Sequence, residues 1–155
     1  MTYSTLASIV KYPYESTLAG KKSKFGFFAS ETEDYRKIAD ELGIPYTFED
    51  GALRAVRHPF VYLVEAADDI CYEIMDIEDA FKLRLLSNEE TQTLLLNFFS
   101  KETQEQLQSS YPEGTDNGDR IAYLRSCVIN SLENACVDIF MTHETEILAG
   151  TFQGS

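Results

Sequence analysis

The stretch RHPFVYLVEAADDICYEIMDIEDAFKLR, residues 57–84, decides the fold class of this 155-residue chain. Apolar residues recur in it at every third or fourth position, and Pro59 stands near its start, where a helix tolerates proline. This periodicity predicts one long amphipathic helix. Its apolar face consists of Phe60, Leu63, Val64, Ala67, Cys71, Ile74, Ile77 and Phe81.

Helical patterns also lie on both sides of this stretch. We find no alternating strand pattern and no repeat, so the sequence predicts an all-α helical bundle forming a single unit over residues 1–155. Residues 44–56 are expected to be irregular or to contain one short helical turn. Residues 109–119 (SSYPEGTDNGD) are dense in turn formers and predict a loop. The other predicted helices are at 3–11, 30–43, 87–109 and 119–149.

Two of these helices have recognisable ends. For the helix at 30–43, Ser30 or Thr32 is the expected N-cap and Gly43 the terminator. For the helix at 87–109, Ser87 and Glu90 have the spacing of a capping box.

Composition excludes several classes of protein. Hydrophobic residues make up 44% of the chain, so the chain is too hydrophobic to be an acidic disordered tail. Its formal net charge is −13, which argues against non-specific binding of nucleic acid. No apolar run is long enough for a transmembrane helix, and the first residues do not resemble a secretory signal. The three cysteines predict buried free thiols rather than a disulfide framework. We therefore expect a soluble, cytoplasmic protein.

The charge is unevenly distributed. Residues 1–30 contain four lysines and one acid, for a net +3, and residues 31–155 carry the remaining −16. This lysine cluster is either a solvated loop or a phosphate-binding patch, since ammonium groups are compact charges that suit phosphate. Sequence patterning leaves the two alternatives open.

Acidic side chains form a stripe on the predicted helix at 57–84. With Asp68 placed at zero on a helical wheel, Tyr72 lies at about 40° and Asp76 at about 80°, and the three span roughly 12 Å of helix axis. Carboxylates at such spacing repel each other, yet no lysine lies between Arg57 and Lys82. The stripe is either an exposed acidic face or a face turned towards a metal ion or sugar hydroxyls.

Three strings in the chain resemble the deoxyguanosine triphosphate triphosphohydrolases (dGTPases), a family of the HD phosphohydrolase superfamily. Residues 57–80 (RHPFVYLVEAADDICYEIMDIEDA) resemble the segment that carries the family's last metal-ligating aspartate. KYPY (11–14) with KSKFGFFASE (22–31) resembles its phosphate-binding lysine region, and 120–152 resembles the following helical segment. The order and approximate spacing of the strings match, and together they cover most of the chain.

The resemblance implies a role for individual residues. Asp68, rather than Asp69, would complete a His, His-Asp, Asp metal site. Tyr72 would pack against the deoxyribose, and Asp76 would accept the sugar 3′-hydroxyl. The triphosphate would be bound by Lys11, Tyr12 and Lys24, with Lys22 as the alternative to Lys24.

The chain also departs from the family pattern. Its two histidines, His58 and His143, belong to no His-Asp pair, and we assign them to a helix start and a helix surface rather than to a metal site. The family's histidine motifs lie upstream of the KYP region, so the resemblance implies an internal piece of a longer enzyme. By this resemblance we expect that piece to carry no catalytic residue and not to hold the divalent metal (Mn, Mg or similar) by itself.

The function implied by the resemblance is hydrolysis of dGTP to deoxyguanosine and inorganic triphosphate by the longer enzyme, with the isolated piece inactive. Two alternatives stay open: another HD phosphohydrolase with a different deoxynucleotide or a phosphodiester substrate, and a helical structural or interaction module. The expected partner is a deoxynucleoside triphosphate. Because family members assemble as oligomers, a homo-oligomer is a further option, whereas nucleic acid and membranes are not expected partners.

Overall fold

The computed structural model describes residues 1–20, 24–111, 114–152 and 154. Within these ranges the chain forms seven α-helices and one two-stranded sheet, which confirms the predicted helical fold class. The helices are α1 (Tyr3–Ser8), α2 (Thr32–Leu42), α3 (Pro59–Lys82), α4 (Asn88–Leu96), α5 (Lys101–Ser109), α6 (Asn117–Thr142) and α7 (Glu144–Ala149). The strands are β1 (Tyr46–Glu49) and β2 (Ala52–Ala55).

Contacts divide the chain into two compact units. The first consists of residues 1–66 and 138–155, and the second of residues 67–137. Each unit has its own hydrophobic core. The first core is formed by Ala7, Phe27, Tyr35, Ile38, Ala39, Ile44, Leu53 and Ala55. The second core is formed by Ile74, Leu95, Leu96, Ile121, Leu124 and Val128.

The hairpin of β1 and β2 corrects the prediction for residues 44–56. The strands pair antiparallel, with Tyr46 opposite Ala55 and Glu49 opposite Ala52. The turn between them is Asp50-Gly51, and both residues have positive φ (50° and 85°), as a tight two-residue hairpin requires. The prediction was wrong because β2 is buried at three of its four positions, which hides any polar alternation. The Asp-Gly pair was the available signal.

Helix α2 shows why a cap cannot be chosen from residue type alone. The helix ends at Gly43 with φ 65°, as predicted, but neither Ser30 nor Thr32 caps its start. A short 3-10 helix (Ala29–Glu31) precedes it, so Thr32 is already the first residue of α2. The Thr32 hydroxyl instead donates to the Glu15 carboxylate at 2.7 Å. A tertiary hydrogen bond has replaced the local one.

Two predicted helices are each split in the structure. The predicted helix at 87–109 is α4 and α5, because Ser100 forms a second N-cap by accepting from the Thr103 amide at 3.3 Å. The capping box of Ser87 and Glu90 is confirmed. The predicted helix at 119–149 is α6 and α7, with His143 at the junction.

The long helix α3 is confirmed, although its apolar face is not buried throughout. Ile74 is fully buried in the core of the second unit, whereas Cys71 is exposed. The three cysteines are free thiols, as predicted, but the expectation that all of them are buried is wrong: Cys127 and Cys136 are only partly covered. Across the described ranges, each helix is too short or too polar to reach across a lipid bilayer.

Candidate functional site

The segment 12–16 forms the base of a candidate site in the first unit. On one side it pairs with β2, through hydrogen bonds from the Ala55 amide to the Pro13 carbonyl (2.8 Å) and from the Glu15 amide to the Leu53 carbonyl (3.0 Å). On its other side the Ser16 amide donates to the Phe27 carbonyl at 3.0 Å. The segment therefore lies between the hairpin and residues 26–27, and the residues before it are held at a fixed place.

Gly26 allows the lysine-containing segment to approach Tyr12 closely. Its amide donates to the Tyr14 carbonyl at 3.1 Å. A Cβ at Gly26 would lie 2.3 Å from the Tyr12 carbonyl oxygen and 2.4 Å from Cγ1 of Val10. Only glycine fits at this position without displacement of the backbone, so its lack of a side chain brings residues 24–27 next to Tyr12.

The predicted phosphate-binding residues Lys11, Tyr12 and Lys24 lie together. The Lys24 ammonium donates to the Tyr12 hydroxyl at 3.3 Å and lies 5.5 Å from the centre of the Tyr12 ring. The Lys11 ammonium lies 6.0 Å from the same ring. One tyrosine thus has two cations beside it. Lys22, the alternative to Lys24, lies outside the described residues.

A pocket of about 350 Å³ opens beside this cluster in the first unit. Lys11 and Tyr12 line it, and the described residues of its lining include no carboxylate. Arg54 and Arg57, which are not among the predicted site residues, line it as well. Three cationic side chains on one concave surface form a site suited to an anion.

Internal partners orient both arginines. The guanidinium of Arg54 lies 4.6 Å from the Tyr14 ring centre, and its Nε bonds the Glu49 carboxylate at 2.8 Å. Arg57 donates from Nε to the Lys11 carbonyl at 3.0 Å and lies 5.7 Å from the Tyr62 ring centre. The signal that could have found them is ALRAVR directly after the Asp-Gly turn, since a hairpin strand there holds Arg54 in place and Arg57 follows two residues after the strand ends.

The aromatic side chains of Tyr62 and Phe152 also line the pocket. Tyr62 and Phe152 meet edge to face with ring centres 5.5 Å apart.

The two histidines lie at the ends of helices. The His143 ring centre lies 5.1 Å from that of Phe152, and Nδ1 of His143 lies 3.2 Å from the Glu146 carboxylate. His143 therefore belongs to a helix junction and not to a helix surface as predicted, whereas His58 directly precedes α3, as predicted. Burial lowers the pKa of His58.

Glu15 is a buried carboxylate at the edge of this region. Its two oxygens accept hydrogen bonds of 2.7 Å from the hydroxyls of Thr17 and Thr32, and only 7% of the residue is exposed. These hydroxyls, Thr17 first, hold the pKa of Glu15 below its usual value, because they bond the charged form. Glu15 thereby fastens the segment 12–16 to the start of α2.

The predicted metal and sugar residues lie on α3, in the second unit. Asp68, Tyr72 and Asp76 follow one another at four-residue spacing in an unbroken helix, and all three are exposed; Tyr72 is 66% exposed. Among the described residues, no three His, Cys, Asp or Glu side chains come together in a way that could hold a metal ion. The residues present do not fit a resident metal by themselves, and Asp68 offers a single ligand.

The sequence was compared with known proteins. No family model matches the chain. A deoxyguanosinetriphosphate triphosphohydrolase-like protein of Pseudomonas aeruginosa is 36% identical over 99% of this chain and 35% of its own length. The protein of the same name from Synechocystis is 35% identical over 100% of the chain and 36% of its own length. A deoxyguanosinetriphosphate triphosphohydrolase of Klebsiella pneumoniae is 29% identical over 81% of the chain and 25% of its own length.

The Pseudomonas and Synechocystis proteins match almost the whole of this chain, and the chain spans about a third of their length. The three strings that first indicated the resemblance fall within the matched region. Over its own length the chain therefore fits the deoxyguanosinetriphosphate triphosphohydrolases and triphosphohydrolase-like proteins, which are about three times as long.

Proposed function

We propose that this chain is part of a metal-dependent deoxynucleoside triphosphate triphosphohydrolase that converts dGTP to deoxyguanosine and inorganic triphosphate. We also propose that the pocket beside Tyr12 binds the triphosphate. The observation that carries the proposal is the cluster of Lys11, Tyr12 and Lys24, of which Lys11 and Tyr12 line a cationic pocket, in a chain whose relatives bear triphosphohydrolase names.

The charges in the pocket support a phosphate ligand. A triphosphate carries several negative charges, and both lysine and arginine bind phosphate oxygens with charge-assisted hydrogen bonds. Arginine adds a planar fork of donors, and lysine adds a mobile point charge. Lys11, Arg54 and Arg57 supply these donors in a chain whose net charge is otherwise strongly negative.

The exposed stripe of α3 supports a separate proposal, which concerns the second unit by itself and the sugar of a deoxynucleotide. We propose that Tyr72 packs against the deoxyribose and excludes a 2′-hydroxyl, and that Asp76 accepts the 3′-hydroxyl. Their exposure and helical spacing leave both side chains accessible to a ligand. We propose Asp68 as one metal ligand, with the histidine ligands coming from residues that this chain does not contain. The metal, when bound, would polarise the phosphoryl oxygen.

The phosphate-binding role can be tested on the chain itself. Sodium tripolyphosphate is titrated into the purified protein by calorimetry, with wild type compared with Lys11→Met. Loss of one charged phosphate contact is expected to weaken binding roughly tenfold. The matched control is Lys37→Met, which removes an exposed lysine of α2 that does not line the pocket. Equal affinity in wild type and Lys11→Met would contradict the proposed site.

The sugar-binding role requires a longer protein that carries this segment together with the upstream His-Asp motif. In that protein, Tyr72→Ala is expected to reduce the preference for dGTP over GTP, measured as the ratio of the two kcat/KM values. Tyr123→Ala is the control, because Tyr123 is another exposed tyrosine of the second unit. An unchanged ratio in Tyr72→Ala would remove Tyr72 from the sugar site.

A further inference from the structure

We infer that Glu65 is an internal counter-ion which binds the Lys11 ammonium in the absence of phosphate and competes with an incoming polyphosphate for it. Glu65 thereby lowers the affinity of the pocket. The inference rests on the proposed phosphate-binding role of Lys11. The observation behind it is the ion pair between the Lys11 ammonium and the Glu65 carboxylate within the first unit.

The main chain at Lys11 is fixed, so only its side chain is free to change partner. The Lys11 carbonyl accepts from Arg57 Nε at 3.0 Å. Two residues later the Pro13 carbonyl accepts from the Ala55 amide at 2.8 Å. A lysine whose backbone is held in this way still has a flexible four-carbon stem, and its ammonium can reach a ligand without any rearrangement of the fold.

Competition requires that the Lys11 ammonium be reachable from solvent while Glu65 stays beside it, and the exposure of the two side chains agrees with this. The Lys11 side chain is 42% exposed, whereas that of Glu65 is 24% exposed. Because Lys11 faces solvent to a large extent, a phosphate oxygen can approach its ammonium while Glu65 remains beside it. The carboxylate then repels the incoming anion at short range, where screening by salt is incomplete.

Comparison with the other two cations of the pocket, Arg54 and Arg57, shows why Glu65 affects Lys11 most directly. The Arg57 guanidinium is held by a backbone carbonyl and by the Tyr62 ring, both of which leave its charge intact. Arg54 also has a carboxylate partner, Glu49 of the neighbouring strand, but its guanidinium lies 4.6 Å from the Tyr14 ring centre as well, so two contacts hold it in place. Lys11 combines a mobile side chain with a carboxylate on its own ammonium, so its availability depends most directly on Glu65.

The experiment measures the affinity of the purified chain for sodium tripolyphosphate at low and high salt. Glu65→Gln keeps the shape of the side chain and removes its charge, and is expected to bind roughly three- to tenfold more tightly than wild type at low salt. This gain is expected to shrink at high salt. The control is Glu33→Gln, which removes the same charge from an ion pair with Arg36 on α2, outside the pocket lining. It is expected to change the affinity less than twofold.

A gain in affinity separates competition from a purely structural role, since loss of a structural contact lowers affinity. Unchanged or weaker binding by a folded Glu65→Gln would overturn the inference. If that variant does not fold, Glu65→Asp replaces it: its shorter carboxylate holds Lys11 less closely, so affinity rises if Glu65 competes and falls if Glu65 is structural. If Lys11→Met binds tripolyphosphate as wild type does, the proposed function fails. If Lys11→Met loses binding and Glu65→Gln gains none, only this inference fails.

Discussion

The Lys24 ammonium donates a hydrogen bond to the Tyr12 hydroxyl at 3.3 Å, across twelve residues of sequence. The family resemblance predicts both as phosphate-binding residues, on two separate strings of the sequence. The structure joins them through Gly26, whose amide bonds the Tyr14 carbonyl and whose missing side chain permits the contact. A glycine two residues from Lys24 thus helps to build the candidate site.

Gly26→Ala is expected to damage both stability and binding. The added Cβ would collide with the Tyr12 carbonyl oxygen and with Val10, so residues 24–27 must move away. We expect the free energy of unfolding to fall by about 2 kcal/mol and tripolyphosphate binding to weaken, measured by denaturant titration and calorimetry.

The control for Gly26→Ala is Gly43→Ala, because the φ of 65° at this position is strained for alanine but a Cβ there meets no atom within 4 Å. Gly43→Ala is expected to lower the free energy of unfolding by about 1 kcal/mol and to leave tripolyphosphate binding unchanged. Unaltered binding by Gly26→Ala would show that Lys24 does not depend on this close approach.

Tyr35→Phe is expected to stabilise the chain. The Tyr35 ring stacks on Phe27 with centres 4.4 Å apart, but its buried hydroxyl bonds no other described residue. Burial raises the pKa of Tyr35 to about 12, so the hydroxyl stays protonated at ordinary pH. Removing an unpaired buried hydroxyl should raise the free energy of unfolding by about 1 kcal/mol.

Tyr46→Phe is the comparison for Tyr35→Phe, because the Tyr46 hydroxyl does donate, to Asp40 at 2.9 Å. Its removal is expected to lower stability slightly. The two variants are measured by denaturant unfolding. A loss of stability in Tyr35→Phe would show that its hydroxyl is satisfied in solution, for example by a buried water.

Glu15 is expected to make the chain acid-sensitive. The hydroxyls of Thr17 and Thr32 lower the pKa of Glu15 from its ordinary value of 4.5. A carboxylate with a depressed folded-state pKa contributes stability that is complete above the unfolded-state pKa and is lost as the pH falls from about 4.5 through the lowered folded-state value. The midpoint of thermal unfolding should therefore drop over this range more steeply in wild type than in Glu15→Gln.

Above this range Glu15→Gln should be the less stable protein, since the neutral amide bonds the two hydroxyls less strongly. The control is Glu90→Gln. The Ser87 amide and hydroxyl lower the pKa of Glu90, but this residue belongs to the capping box of α4 in the second unit. Parallel pH profiles for wild type and Glu15→Gln would show that Glu15 does not contribute to the acid transition.

The isolated chain is expected to release no triphosphate from dGTP in the presence of Mn²⁺. The described residues bring no three metal-ligating side chains together, and one carboxylate cannot retain a catalytic metal. Triphosphate release is measured by chromatography, with the deoxyguanosinetriphosphate triphosphohydrolase of Klebsiella pneumoniae as the positive control. Metal-dependent turnover by the purified chain would refute the assignment of the remaining ligands to residues outside it.

The helical elements could be predicted from sequence wherever a long apolar periodicity or a local cap specified them. Helix α3 follows from its spacing of apolar residues, the start of α4 follows from Ser87 and Glu90, and the end of α2 follows from Gly43. These signals act between residues within a few positions of each other, so they can be recognised from the sequence without the structure. The family resemblance can also be recognised from the sequence, because it rests on short motifs that follow one another in a fixed order.

Only the tertiary structure decided which of these residues meet. The hairpin is stabilised by burial of β2 and by pairing with the segment 12–16, and the Thr32 hydroxyl bonds Glu15 rather than capping its own helix. Arg54 and Arg57 become pocket residues because long-range packing brings them to Tyr14 and Lys11. Local signals specify elements, but a pocket depends on contacts between residues distant in sequence. The charge and the family of this protein are therefore properties of its sequence, whereas the pairing of Lys11 with Glu65 is a property of its fold.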